Sequence, residues 1–224
     1  MKTEKQAREE IVRFGRLMHQ AGMVAATDGN LSSRLHDGNI LCTPTMMSKG
    51  LMEPDDLVVV DSQGHKISGR RNVSSELAVH LLIYRRRPDV GAVVHAHPPT
   101  ATGFAAAGIA LDRALVSEIV VTLGSVPLAN YECPGTPELA DALAPLIADH
   151  DAILMANHGV VTCGADLQNA FMNMETVEHY AKIALVTYQL GKQQPLSDKH
   201  LDQLREIRMK YQAHNHAAAG HGKE

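Results

Sequence analysis

Thirteen of the 224 residues are histidines, and three stand where strands should end. His95 and His97 lie in AVVHAHPP, between an apolar run and a double proline; His158 lies in ILMANHGV, after a second apolar run and before a glycine. Along a strand, residues i and i+2 point to the same face, so His95 and His97 project side by side. Imidazole is the commonest metal ligand, and an H-x-H pair on a strand can present two nitrogens to one ion at about 2.0–2.1 Å. A third imidazole from another strand end would leave one coordination position open, as in a catalytic zinc site. Taken singly, each of these histidines is equally well a residue satisfied by its neighbours. Glu76, in the run Ser74-Ser75-Glu76, stands at a helix start. A carboxylate there suits the helix dipole; beside a cluster of imidazoles it is a metal ligand, a general base, or each in turn. The hydroxyls and backbone N–H groups of the same turn form an anion site.

These side chains need a scaffold. Apolar periodicity predicts a first helix over about 4–21, with Ile11, Phe14, Leu17, Met18 and Ala21 on one face. ATDGNLSSRL reads as a turn cluster, GNILCTPT as a strand, and DLVVVDSQGHKIS as a hairpin turning at residues 62–64. A helix capped by Ser74 or Ser75 should stop before Pro88. Strands follow in GAVVHAH and VPLANYECPG, then a helix capped by Thr136, with Pro137 at its first position and Pro145 kinking or shortening it. DAILMANHGVVTCG gives a strand, a turn and a strand. A long helix then carries Leu167, Ala170, Phe171, Met174, Val177 and Ala181 on one face and ends at Gly191. A last helix spans about 197–212, before a small, polar, flexible tail over 213–224. Irregular alternation with hairpins predicts an α/β fold with a mostly antiparallel or mixed sheet flanked by helices, in one domain over 1–212.

Composition narrows the partners. Apolar residues are 45% of the chain, charged residues 21%, and the net charge is −4. No basic surplus is present to gather phosphates, which argues against nucleic acid. No run of about 18 apolar residues predicts a membrane span, and the charged N-terminus MKTEKQAREE is no signal peptide. Cys42, Cys133 and Cys163 form no C-x-x-C pair and fit a reducing cytoplasm.

In order and spacing, TDGNLSSR, TPT, SSELAVHLLIYRRRPDVGAVVHAH, PGTPELA and NHGVVTCG resemble the class II aldolase/adducin superfamily, and within it the L-fuculose-1-phosphate aldolase group. The resemblance spans about residues 7–190. It implies one divalent ion per subunit, Zn2+ first and Mn2+ or Co2+ next, on His95, His97 and His158. Glu76 would be both a ligand of the resting metal and the acid/base. Gly29, Asn30, Thr45, Ser74 and Ser75 would surround a substrate phosphate. It also implies a layered α/β/α fold with a central, mainly antiparallel sheet between helices, and a homotetramer with active sites between subunits. The expected reaction is cleavage of a ketose 1-phosphate to dihydroxyacetone phosphate and an aldehyde, with the metal as Lewis acid and Glu76 moving the proton. Neither Lys49 nor Lys66 is then needed as a nucleophile.

The chain also departs from the family. Relatives often carry glycine where Met46 stands, so the anion is phosphate or carboxylate, with Lys49 either compensating or a solvated loop residue. The aldolase's tyrosine after the H-x-H strand is missing from DRALVSEIVVTLGSVP, where Glu118 either replaces it or is an ordinary polar residue. Tyr211 is the candidate for a second tyrosine, reaching a neighbouring subunit. The scaffold also hosts decarboxylases of oxo-sugar acids or aromatic acids, pentulose-phosphate epimerases and a dehydratase, and in adducin a non-enzymatic module. Decarboxylation is the main alternative, because loss of carbon dioxide also leaves an enolate. The epimerases tend to have Asp at the place of Glu76. His80 reads as a packed or solvated helix residue, Glu175 and Glu178 as a solvated face, and Met46 and Met47 as loop packing. The histidines at 214, 216 and 221 read as part of the tail.

Overall fold

The computed structural model describes residues 3–220, with side chains described through residue 210. Helix α1 (Glu4–Gln20) starts on a capping box. The Thr3 hydroxyl accepts from the Gln6 N–H, and the Gln6 side chain accepts from the Thr3 N–H. Its apolar face is buried at Ile11, Phe14 and Met18, as the periodicity predicts; Ala21 is exposed at the cap.

Eight strands follow: β1 (Asn30–Arg34), β2 (Ile40–Cys42), β3 (Val58–Val60), β4 (Lys66–Ser68), β5 (Ala92–Ala96), β6 (Leu128–Ala129), β7 (Ala152–Met155) and β8 (Gly159–Gly164). They form one sheet in the order β4-β3-β2-β1-β5-β8-β7-β6. Every neighbouring pair is antiparallel except β6 with β7. The helices are α2 (Leu77–Arg86), α3 (Pro99–Ala106), α4 (Ser117–Thr122), α5 (Pro137–Ile147), α6 (Leu167–Gln189) and α7 (Asp198–Gly220).

Alternation along the strands divides the core in two. Leu31, Ala92, Val94 and Val160 pack with the apolar faces of α1, α3, α4 and α6. Val93, Ile153, Val161 and Cys163 pack with α2 and α5 on the opposite face. This is the expected layered α/β fold with a mainly antiparallel sheet. All three cysteines are free, and no helix among the described residues is long and apolar enough to cross a membrane.

Several expectations are corrected. The turn cluster ATDGNLSSRL contains a central strand, β1, between β2 and β5. Its polar Asn30 and Ser32 are buried because they bond to side chains of α2. Neither Ser74 nor Ser75 caps α2: Glu76 occupies the N-cap, and the Ser74 hydroxyl accepts from the Glu76 N–H at 3.3 Å. Helices α3 and α4 fall in stretches the sequence reading left unassigned. Helix α5 runs past Pro145 to Ile147. Glu178 is buried at 4% exposure, not solvated, and it caps α3 by accepting from Thr100 N–H, Thr100 Oγ1–H and Ala101 N–H. Helix α7 continues beyond residue 212 to Gly220. His221 lies outside the described residues, as do the side chains of Tyr211, His214 and His216.

Candidate active site and metal centre

Strand β5 aims His95 and, one pleat later, His97 toward the α2 side of the sheet. The backbone beyond the strand is fixed by His97 N–H donating to the Met23 carbonyl at 3.0 Å. His158 comes from the tight β7–β8 turn, where Asn157 takes a left-handed φ of 54° and His158 N–H donates to the Met155 carbonyl. Glu76 enters from the start of α2. The three imidazoles meet, with ring centroids 4.7–5.1 Å apart. Their ligand atoms all lie within 4.8 Å of one another, a group that could hold a metal ion.

Two close approaches make this convergence possible. Gly29 has φ +70°, and a Cβ there would sit 2.7 Å from the His95 carbonyl oxygen. A Cβ on Gly159 would sit 2.6 Å from both the Ala96 carbonyl oxygen and His97 Cδ2.

Hydrogen bonding fixes which nitrogen of the His95 ring is bare. His95 Nδ1–H donates to the Val160 carbonyl at 2.8 Å, leaving the Nε2 lone pair inward. His97 turns Nδ1 toward Asp28 Oδ2 at 3.5 Å and Nε2 toward His95 Nε2 at 3.1 Å. Glu76 Oε1 lies 2.9 Å from His158 Nε2, and Glu76 Oε2 lies 3.2 Å from His95 Nε2. The His95 Nε2 lone pair therefore faces a second imidazole nitrogen and a carboxylate, an arrangement that a shared cation relieves. Ligands about 2.0–2.1 Å from one tetrahedral ion stand about 3.3–3.4 Å apart, close to these separations. The donor set fits a divalent metal.

The electrostatics agree. Burial opposes charge on Glu76, but the hydrogen bond from His158, the imidazoles and Asn30 outweigh it and hold the carboxyl well below its ordinary range. Burial keeps His95 far below the usual imidazole range, and burial with the neighbouring His158 lowers His97. Neutral His95 and His97 rings beside an ionised carboxylate are protonation states that metal ligation requires.

The residues expected around the anion are partly brought together. An antiparallel bridge between Pro44 and Val73, with Thr45 N–H donating to the Asn72 carbonyl, sets Thr45 beside the Ser74–Ser75 turn. Gly29 and Asn30 lie on the neighbouring β1 side. The Asn30 carboxamide is committed elsewhere, donating to Glu76 Oε2 at 2.7 Å and facing His80 Nε2. Met46 adopts φ 54° with its side chain 79% exposed, so the loop takes the backbone conformation that glycine favours and the methionine fills no packing gap. Met47 does pack against the core.

Lys49 is no solvated loop residue. It is 1% exposed, and its Nζ donates to the Thr27 and Met47 carbonyls, tying the two loops together. Burial lowers it to about 8, against the pull of Asp28 and Glu76. Glu118 is exposed on α4.

The sequence reading missed Asp28 as the partner of His97 and set His80 aside. Asp28 sits beside Gly29 in TDGN, where an acidic residue next to a ligand-bearing turn was the available signal.

The fold and this site define a class. The chain belongs to the Class II Aldolase and Adducin N-terminal domain family, whose model matches residues 9–185. It is 40% identical over 190 residues to a 3-oxo-tetronate 4-phosphate decarboxylase of Escherichia coli (strain K12), covering 83% of this chain and 89% of the relative. It is 35% identical to a 5-deoxy-D-ribulose 1-phosphate aldolase of Bacillus thuringiensis, covering 88% and 92%. Among solved structures it is similar to YgbL from Escherichia coli, a candidate aldolase/epimerase/decarboxylase. That match has a TM-score of 0.86 and 36% identity and covers 91% of this chain and 100% of the other. It is also similar to an L-fuculose 1-phosphate aldolase, with a TM-score of 0.84 and 32% identity, covering 89% and 94%.

Proposed function

We propose that the chain is a metal-dependent carbon–carbon lyase that decarboxylates a phosphorylated 3-oxo sugar acid. The observation that carries this reading is the convergence of the His95, His97 and His158 rings, with the Glu76 carboxylate 2.9 Å from His158 Nε2 and 3.2 Å from His95 Nε2. His95, His97, His158 and, at rest, Glu76 would hold the ion, with Zn2+ the first choice and Mn2+ or Co2+ next. A divalent ion there supplies positive charge to the oxygens of the keto fragment.

The residues do the rest. In a 3-oxo acid the bond to the carboxylate breaks and carbon dioxide leaves. The electron pair stays on the keto fragment as an enediolate, and the carbon that lost the carboxylate takes up a proton. Glu76 is placed to accept the proton of the hydroxyl beside the ketone and to return it to that carbon, with water supplying the last proton. Gly29, Thr45, Ser74 and Ser75 would surround the substrate phosphate through backbone N–H groups and hydroxyls. Lys49 would fix the two loops that carry Gly29 and Thr45.

Two observations favour decarboxylation over the aldol cleavage that the sequence reading placed first. One is the 40% identity to a decarboxylase. The other is the missing tyrosine between Asp112 and Pro127, which the aldolase resemblance calls for and which exposed Glu118 does not replace. Aldol cleavage is the second reading, supported by the Bacillus aldolase relative. Both reactions leave the same kind of enediolate, so one site serves either. The same reading carries a homotetramer in the cytoplasm.

The test is incubation of metal-loaded protein with 3-oxo-tetronate 4-phosphate and, separately, with ketose 1-phosphates. Carbon dioxide and dihydroxyacetone phosphate from the first are expected. Aldehyde release from the second without carbon dioxide from the first would give the site to aldol cleavage. No turnover of either would remove the lyase reading.

A further inference from the structure

Behind Glu76 the hydrogen bonding continues into the core as a single file. Asn30 Nδ2 donates to Glu76 Oε2 at 2.7 Å, and Asn30 Oδ1 meets His80 Nε2. His80 Nδ1 lies 2.6 Å from Ser32 Oγ, which lies 2.8 Å from the Tyr84 hydroxyl. All four inner side chains are buried, at 5% exposure or less.

The direction of each bond follows from the first. An ionised carboxylate only accepts, so Asn30 must turn its NH2 toward Glu76 and leave Oδ1 as an acceptor. His80 Nε2 must then carry the hydrogen. Burial holds His80 down at about 4, hence neutral, so its Nδ1 is bare. Ser32 must therefore donate to Nδ1, and the Tyr84 O–H must donate to Ser32. Every donor in the file points toward Glu76.

Packing alone does not fix the carboxylate. The apolar part of the small cavity beside it, formed by Val79, Leu139 and Met155, offers no hydrogen bond to either oxygen.

We propose that His80, as its Nε2–H tautomer, is a positioning residue that locks the Asn30 carboxamide and so sets the orientation of Glu76 at the imidazole cluster. The proposal rests on the reading of Glu76 as ligand and acid/base. With His80 absent, Asn30 loses the donor that tells its oxygen from its nitrogen. A flipped carboxamide would present oxygen to the carboxylate and repel it.

Two variants and one spectrum test this in the full-length protein. In His80→Gln the terminal amide reaches the place of Nε2 and can still donate to Asn30. In His80→Asn the shorter side chain can accept from Ser32 but leaves Asn30 Oδ1 without its donor. His80→Gln should keep kcat within about threefold. His80→Asn should lose roughly 10–100-fold in kcat and in affinity for added Co2+, as losses of outer-shell partners do, with KM little changed and melting close to His80→Gln. Nitrogen-15 spectra of the wild-type rings should give His80 the signature of a neutral Nε2–H tautomer at pH 7. An Nδ1–H tautomer, or equal losses in both variants, would overturn the proposal. Full activity in Glu76→Gln would instead remove the reading of Glu76, and it would leave the His80 tautomer where it is.

Discussion

Replacing Gly159 by alanine perturbs the imidazole cluster from behind without removing a ligand. The added Cβ would lie 2.6 Å from the Ala96 carbonyl oxygen, 2.6 Å from His97 Cδ2 and 3.3 Å from His95 Cε1. A carbon rests about 3.3 Å or more from a carbonyl oxygen, so β8 must part from β5 by roughly 0.7 Å at this point, or the His97 ring must turn away. Overpacking of this kind costs about 1–3 kcal/mol, and each kcal/mol lowers Tm by about 2–4 °C in a chain of this size. Metal sites tolerate ligand errors of only about 0.2 Å, so the loss of metal affinity should be tenfold or more, on the order of an outer-shell substitution. Gly103, inside α3, is the control. Nothing lies within 4 Å of a Cβ there, and alanine in a helix interior gains about 0.5–1 kcal/mol. Melting temperatures of the two variants should therefore move in opposite directions, and Co2+ affinity should fall in Gly159→Ala alone. Wild-type Tm and metal affinity in Gly159→Ala would refute the argument that this glycine exists for the close approach.

Stability should fall on acidification because of His80. Its imidazole titrates near 6.5 when unfolded and at about 4 in the folded chain, so the unfolded chain binds the extra proton between those values. The stability is present above pH 6.5 and is lost as pH falls through 4, by up to about 3 kcal/mol. Urea unfolding at a series of pH values should show this slope and show it reduced in His80→Gln; equal slopes would contradict it. Met46→Gly relieves a left-handed φ of 54° on an exposed side chain. It should shift stability by no more than about 1 kcal/mol in either direction, strain relief opposing the added chain entropy. It should also leave substrate KM within about threefold, since the loop already has its conformation; a tenfold change in KM would show that the methionine itself shapes the pocket. Glu178→Ala strips an acceptor from Thr100 N–H, Thr100 Oγ1–H and Ala101 N–H. It should destabilise by about 3 kcal/mol, and a loss below about 1 kcal/mol in urea unfolding would show that α3 has another cap.

The imidazole site was legible because its signals are local. A strand fixes His95 and His97 to one face, and an apolar run followed by Asn-His-Gly marks a turn at a strand end. What failed to read was polarity buried by partners distant in sequence. Asn30 and Ser32 look like turn residues until α2 supplies His80 and Tyr84. Glu178 looks solvated until the start of α3 supplies its donors. Lys49 looks solvated until two loop carbonyls close on it. Helix α3 was hidden because PTATGFAA mixes glycine and threonine with small residues and carries no amphipathic period. Ser74 and Ser75 match a cap signature, yet the turn they form places Glu76 at the cap, and that placement delivers its carboxylate to the imidazoles.

The most direct measurement is metal content per chain, by elemental analysis after purification and reloading, in wild type and in His97→Ala. One divalent ion per wild-type chain and a near-empty variant with unchanged secondary structure are expected. A wild-type protein that refuses metal, or a His97→Ala variant that keeps its full complement, would contradict the account.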